Sequence, residues 1–529
     1  MTGTVSRSRT DSLVCGAIYV ASFLCLAAIL FHTFGFPLDD SWIHQVMARN
    51  LAETHRLGFQ PGRLSAGSTS LLWTILLWIG NLVAPQHPVQ YNFVLSVLAF
   101  FGIGYGMRRI VDLAGLGGAI GWIVALAPAA NGNLLWFGVL GMEHLVFLLL
   151  SIWIAVGWFA PTAKLSTAAR MRIATLCTLL VLTRPEGLFL LPLMFVFRRK
   201  AGRSLIDWVT ASAGAALGLS LCAIENWILS HRLTPLTMQG RGGLASDRHI
   251  IPSAARFFKQ SFTIFLKVWT ASTGDHHIIA SVAVIATAAA VGGILFFLRR
   301  RAVALLFLYA WAALILVLYS VILPITGHGG RYIAMAILLF LPLVAAGIYH
   351  ALALASRNDV LAAATVIVLL VLSAGWSITM WRKVAIADIT QINTEHGAAA
   401  RWMLDNVPAD DLARNRIAVF DIGRIGYDLH GHIIDLGGLV DSSFQPYLVQ
   451  GRVADYLRLH DIRWVVLPAS EATGANGYAW ILSLNPAHHA LLTLQHASCS
   501  APAMASLAFA ATGTAAPCQQ IYSFRYIEP

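Results

Sequence analysis

Residues 36–50 read FPLDDSWIHQVMARN and follow directly on residues 12–34, an apolar stretch of membrane-span length. Asp39 and Asp40 therefore stand where the chain leaves a bilayer. One aspartate at the start of DSWIHQVMARNLAE suffices as a helix cap, accepting backbone N–H groups and facing the positive helix end. Two adjacent carboxylates at a membrane face are costly unless a cation or a reacting proton needs them. A stop signal, a cap and a reaction centre are the three readings of this stretch.

Composition settles the class. The 529 residues are 57% hydrophobic and only 12% charged, with a mean hydropathy of +0.70. Soluble domains carry about a quarter charged residues, so a polytopic α-helical membrane protein is expected. The net charge of +11 does not call for nucleic acid, because much of it lies in short basic clusters between apolar segments. Candidate spans are residues 12–34, 89–107, 117–136, 138–159, 205–229, 278–298, 302–323, 331–350 and 359–380. A further apolar block, 173–197, is interrupted by TRPEG at 183–187.

Basic clusters mark cytoplasmic loops: Arg7/Arg9, Arg108/Arg109, Lys164 with Arg170 and Arg172, Arg198 to Arg203, and Arg299 to Arg301. They place the N-terminus inside and the acidic pair outside. LLWTILLWIGNLVA (71–84) then lies on the outer face without crossing, and 173–197 goes in and returns as two short helices. The path has about 11 spans. The first is expected to be a retained anchor, since no small-x-small cleavage site follows its core.

Residues 1–383 thus form a membrane domain, and from 384 to 529 polar residues return. RIAVFDIG (416–423), HIIDLGGL (432–439) and IRWVVLPA (462–469) read as strands, separated by helix-like stretches at 395–407 and 450–461. A small C-terminal α/β domain outside the membrane is expected. Asp421, Tyr427, Asp435 and Asp441 are there either to contact a glycan or as ordinary strand-end and turn residues. Cys15, Cys25, Cys177 and Cys222 fall in apolar segments, whereas Cys499 and Cys518 lie in the outer domain as a disulfide or two free thiols. No CxxC pair suggests zinc.

On the outer side, Glu143 opens the span of GVLGMEHLVFLLL, where a glutamate is either functional or paired with an arginine between helices. Arginines are unexpected in short outer loops. Yet Arg241 and Arg248 lie in TPLTMQGRGGLASDRH (234–249), and His328 and Arg331 lie in the glycine-rich turn ITGHGGRY (325–332). An arginine fork suits phosphate, and glycines let backbone N–H groups approach the same anion. No nucleotide-binding fingerprint occurs. The candidate constellation is therefore Asp39, Asp40 and Glu143 with anion-binding cations, facing one compartment. Trp42, Trp73, Trp78 and Trp136 fall near the interface, where tryptophan belts are ordinary. Contact with a sugar or lipid chain is the alternative for Trp42.

The motifs resemble those of GT-C superfamily glycosyltransferases that use polyprenyl-phosphate sugars, nearest to arabinofuranosyltransferases and protein mannosyltransferases. DDSWIHQVMARNLAET, LGFQPG and SAGSTSLLWTILL resemble their first outer loop. LGMEHLVF (140–147) resembles a second acidic site, LTRPEGLFLLP (182–192) an RPEG motif, and HGGRY (328–332) a late HGRY-like motif. FDIGRIGYDLHGHIIDLGGLVD (420–441) resembles the start of a C-terminal domain of some members. Two departures occur: Leu71 replaces the proline of TSPLW, and HGRY gains a glycine.

The resemblance implies a bacterial inner-membrane enzyme that moves a sugar from a polyprenyl-phosphate donor to a glycan, lipid or protein acceptor. Asp39 or Asp40 would be the general base, and Arg331 with Arg241, His328 or Arg63 would bind the departing phosphate. A single inverting displacement is implied, with Glu143 orienting the acceptor or holding the site and Arg184 with Glu186 structural. No cofactor or tightly bound metal is expected, although the aspartate pair could hold a divalent cation. A transporter or flippase of lipid-linked sugar and a non-catalytic envelope assembly protein are the rival classes.

Overall fold

The computed structural model describes the chain except residues 1, 29, 31–32, 66, 163, 234–249, 271–274, 323–325, 442, 470–483, 501–517 and 529. Among the described residues, seven helices are long and apolar enough to cross a membrane: those within Arg9–Ala27, Pro88–Leu113, Leu205–Ser230, His276–Arg299, Val303–Ile322, His328–Ser356 and Asp359–Asn406. Shorter apolar helices accompany them. The molecule is a helical membrane bundle with a small C-terminal sheet domain.

The block expected to go in and return is two helices, Thr167–Thr183 and Leu190–Phe197, joined by a 3-10 turn over Pro185–Phe189. Pro185 has no N–H to continue the first helix. Residues 71–84 form a 13-residue helix, Leu71–Val83, in which the Ser70 side chain accepts from the Trp73 N–H. That cap starts the helix where the resembling family has proline.

Two expected spans are broken. Residues 117–136 divide into helix Gly118–Leu126, a 3-10 turn over Ala127–Ala130 and a short helix Gly132–Trp136. Pro128 lies at the break, and Asn131 and Ser377 side chains accept the N–H groups of Asn133 and Gly132. The span expected over 138–159 becomes helical only at His144. Irregular backbone inside a bundle requires internal partners. Here Asn92 and Ser96 donate to the Gly138 carbonyl, Ser41 to Leu140 and Trp73 to Gly141. The acidic-motif helix and the capped Leu71–Val83 helix together support the segment that delivers Glu143.

Glycines permit close helix packing. A Cβ on Gly347 would lie 1.8 Å from the Ala289 carbonyl oxygen, and one on Gly293 would lie 2.1 Å from that of Leu343. These residues join helices His276–Arg299 and Ala334–Ser356.

Helix Asp359–Ile392 runs well past the expected boundary at 383 and carries the chain into the C-terminal domain. A widened π turn over Asn393–Gly397 and helix Ala398–Asn406 follow. The sheet has the order β2-β1-β3-β5-β4. Its strands are β1 Ile417–Val419, β2 Ile434–Asp435, β3 Trp464–Pro468, β4 Ala490–Cys499 and β5 Cys518–Tyr526. β1 lies parallel to β2 and β3, while β5 is antiparallel to β3 and β4. The three expected strands are the parallel half of the sheet, and the β4–β5 pair adds to them. Cys499 faces Cys518 across that pair, and the two form a disulfide.

Candidate active site

The two aspartates of the opening motif have separate partners. Asp40 Oδ2 accepts from Arg331 Nη2 at 2.5 Å. Asp39 turns the other way, toward the C-terminal domain. Its Oδ2 accepts the Gly423 N–H at 2.7 Å, and its Oδ1 accepts the Arg424 N–H at 2.7 Å. The His396 Nδ1 lies 3.0 Å from Oδ1. Both residues begin helix Asp39–Thr54, whose cap residue Leu38 has no side-chain hydrogen bond. Neither carboxylate is used up as a simple helix cap.

Arg331 sits in a 3-10 turn over His328–Ile333. Gly329 and Gly330 take φ of +61° and +79°, a left-handed conformation that glycine adopts freely. A Cβ on Gly329 would also strike the Trp136 ring at 2.3 Å. The extra glycine relative to the resembling motif is thus part of the turn that aims Arg331. The arginine side chain is only 5% exposed, against 34% for Asp40. Its Nη1 also contacts Met142 Sδ at 3.1 Å, and its Nη2 lies 3.3 Å from the Tyr332 hydroxyl. His328 opens the same turn and is half-buried.

Glu143 is fully buried and paired with Arg184 Nη1 at 2.5 Å. Arg184 also donates to Glu186 at 2.5 Å and to the Tyr319 hydroxyl at 2.6 Å, and Tyr319 bonds to Glu186. The arginine and glutamate of RPEG do satisfy each other, as expected, and they draw Glu143 into the same network. The second Glu143 oxygen is buried and has no hydrogen-bond partner among the described residues. Tyr319 and Tyr332 stack at 5.1 Å, which links this network to Arg331.

His44, within the DSWIHQ stretch, also belongs to this site. Its buried ring lies among the charges of Glu143, Asp40, Arg331 and Arg184, with Nδ1 3.4 Å from Ser68 Oγ. Burial pushes its pKa below the ordinary histidine value. It lies four positions after Asp40, so a helical reading of the motif places it about one turn on. His396 and Tyr319 carried no comparable local signal.

Other sequence candidates fall elsewhere. Arg63 is exposed, bonds to Gln60 at 3.3 Å and faces His460 of the C-terminal domain. Arg241 lies outside the described residues. Trp42 is fully buried, with Arg424 over its ring at 4.6 Å and Tyr427 and Phe36 packed at 4.7 and 5.0 Å. Trp42 thus packs between the helical bundle and the C-terminal domain. Asp435 accepts backbone N–H groups of Gly437 and Val440, and Asp441 bonds to Ser443 and Tyr456. Among the described residues, no group of three or more His, Cys, Asp or Glu is placed to hold a metal ion.

Comparison with known proteins agrees with this geometry at the level of fold. A family described as a domain of unknown function (DUF8728) matches residues 385–516. Among curated protein sequences none matches the chain. The oligosaccharyltransferase of Archaeoglobus fulgidus, solved with Zn and sulfate, aligns with a TM-score of 0.54 and 13% identity, over 88% of this chain and 69% of that one. Apo ArnT from Cupriavidus metallidurans aligns with a TM-score of 0.50 and 11% identity, over 99% and 98%. A structure of the same protein bound to undecaprenyl phosphate gives a TM-score of 0.42. The chain therefore shares the helical-bundle fold of these oligosaccharyltransferase and ArnT structures.

Proposed function

We propose that this chain transfers a sugar from a polyprenyl-phosphate donor to a cell-envelope glycan, lipid or protein acceptor at the outer face of the inner membrane. The observation that carries the reading is the contact between Asp40 and Arg331. It sets a partly exposed carboxylate beside a buried, fork-shaped cation in the fold just described. The donor class rests on the motif resemblance. The disulfide suits a domain outside the cytoplasm, and the basic clusters suit the opposite loops inside.

The chemistry follows from that pair. Arriving donor phosphate competes with Asp40 for Arg331 and releases the carboxylate. Asp40 then accepts the proton of an acceptor hydroxyl as its oxygen attacks the anomeric carbon. The bond from that carbon to the phosphate oxygen breaks in the same step. The electron pair leaves with polyprenyl phosphate, whose charge Arg331 stabilises. One displacement of this kind inverts the anomeric centre. His328 and Tyr332 border the phosphate position, and Glu143 with Arg184 holds the wall behind it.

The test is transfer from radiolabelled polyprenyl-phosphate sugars by purified protein in liposomes. Asp40→Asn should lower turnover by about a thousandfold while the protein still binds donor. Labelled product together with free polyprenyl phosphate is the expected result. Donor that changes leaflets intact, in wild type and variant alike, would instead make the chain a transporter.

A further inference from the structure

We infer that the outer domain is part of the catalytic centre, acting through Asp39: His396 and the Gly423 and Arg424 amides form a positioning clamp that fixes the Asp40 side of the motif. The inference rests on the assignment of Asp40 as base and extends it to residues no comparison assigns.

Adjacent carboxylates repel, and each disfavours the charge of the other. Here the outer domain compensates one of them. Asp39 receives two backbone N–H groups at 2.7 Å and the His396 ring at 3.0 Å, which leaves Arg331 to Asp40. The fit is close. A Cβ on Gly423 would lie 1.9 Å from the Asp39 carbonyl oxygen and 2.7 Å from its carboxyl carbon, so only glycine lets this backbone approach. His396 is buried in the widened π turn, a local geometry frequent at functional sites.

The clamp is braced from behind. Gln519 Nε2 donates to Asp421 Oδ2 at 2.8 Å and lies 3.3 Å from His396 Nε2. Ser500 donates to Glu395 at 2.6 Å. Gln519 and Ser500 each adjoin a half-cystine of the Cys499–Cys518 disulfide. From the other side, Arg424 bonds to Asn393 at 2.8 Å, and Asn393 donates to the Phe34 carbonyl at 2.7 Å. Asp39 is therefore a positioning residue. It anchors the first turn of its helix so that Asp40, one residue on, meets Arg331 in one geometry.

The test uses the full chain in liposomes, with transfer kinetics and hydrogen exchange read side by side. Gly423→Ala adds no ionisable group and should push the outer domain off Asp39. Gly423→Ala and His396→Ala should each lower kcat by about tenfold to a hundredfold, with donor KM within about twofold of wild type. His396→Asn, whose amide can reach the Nδ1 position, should recover most of the loss. Exchange in the first turn of helix Asp39–Thr54 should rise in both damaging variants. Unchanged kcat with raised exchange would overturn the inference, as would His396→Asn behaving like His396→Ala in folded protein. Should wild type transfer no sugar from such donors, the donor reading fails. Exchange alone then decides the clamp: protection of residues 39–42 that is indifferent to Gly423→Ala removes it.

Discussion

Arg184 donates to Glu143 Oε1 at 2.5 Å across 41 residues of sequence, and it simultaneously holds Glu186. Glu143 has no exposure to solvent, so this guanidinium is its charge partner. Removing one member of a buried pair strands the other, at a cost of about 3–5 kcal/mol. Arg184→Ala should therefore lower the thermal midpoint markedly in detergent. Glu143→Gln, which leaves Arg184 its Glu186 contact, should cost less. Equal losses from the two substitutions would mean that Glu143 is not held by Arg184.

Arg331 engages Asp40, Met142 and the Tyr332 hydroxyl through two separate nitrogens, a pattern one ammonium group cannot reproduce. Arg331→Lys keeps the charge and loses the fork. The expected outcome is a donor KM raised by about tenfold or more, with a smaller effect on the acceptor KM. A donor KM that stays at the wild-type value would take Arg331 out of the phosphate site.

How far the sequence reveals this site depends on how local each interaction is. The membrane bundle is readable because apolar length is a local property, and the RPEG turn because proline breaks a helix where it stands. The broken segment before Glu143 was less readable, since Ser41, Trp73, Asn92 and Ser96 supply its hydrogen bonds from distant helices. DD marked itself as unusual, but the division of labour within it did not show. Arg331 is 291 residues from Asp40, and His396 is 357 from Asp39. A motif can show that two carboxylates need partners; only the fold assigns them. The β4–β5 pair was missed for another reason: β4 has few buried positions and little apolar alternation to detect.

The Cys499–Cys518 disulfide closes a loop with a sequence separation of 19. On the chain-entropy account, closure of that length contributes about 3 kcal/mol. Cys499→Ala/Cys518→Ala should lower the melting temperature of the C-terminal domain while the membrane bundle keeps its helical signal. Because Gln519 and Ser500 flank the half-cystines, exchange at residues 393–397 should rise as well. Identical melting of the double variant and oxidised wild type would show that strand pairing alone holds β4 to β5.

Asp421 supplies a pH signature for the domain junction. Burial pushes its carboxyl from 3.8 up to about 6, with the His396 charge opposing and the Asp39 and Asp40 charges adding to the rise. Glu395 also faces this cluster. Because the folded pKa is the higher one, the proton is bound more tightly in the folded state. The stability it contributes is full below about pH 4 and is lost as pH rises through about 6, on the order of 3 kcal/mol for a shift of this size. Asp421→Asn keeps an acceptor for Gln519 and removes the titration. Melting temperatures measured from pH 4 to 7 should therefore fall more steeply for wild type than for Asp421→Asn, with the two curves running parallel above pH 7. Curves parallel throughout would mean that Asp421 is ionised in the folded protein over the whole range, and that the His396 charge outweighs its burial.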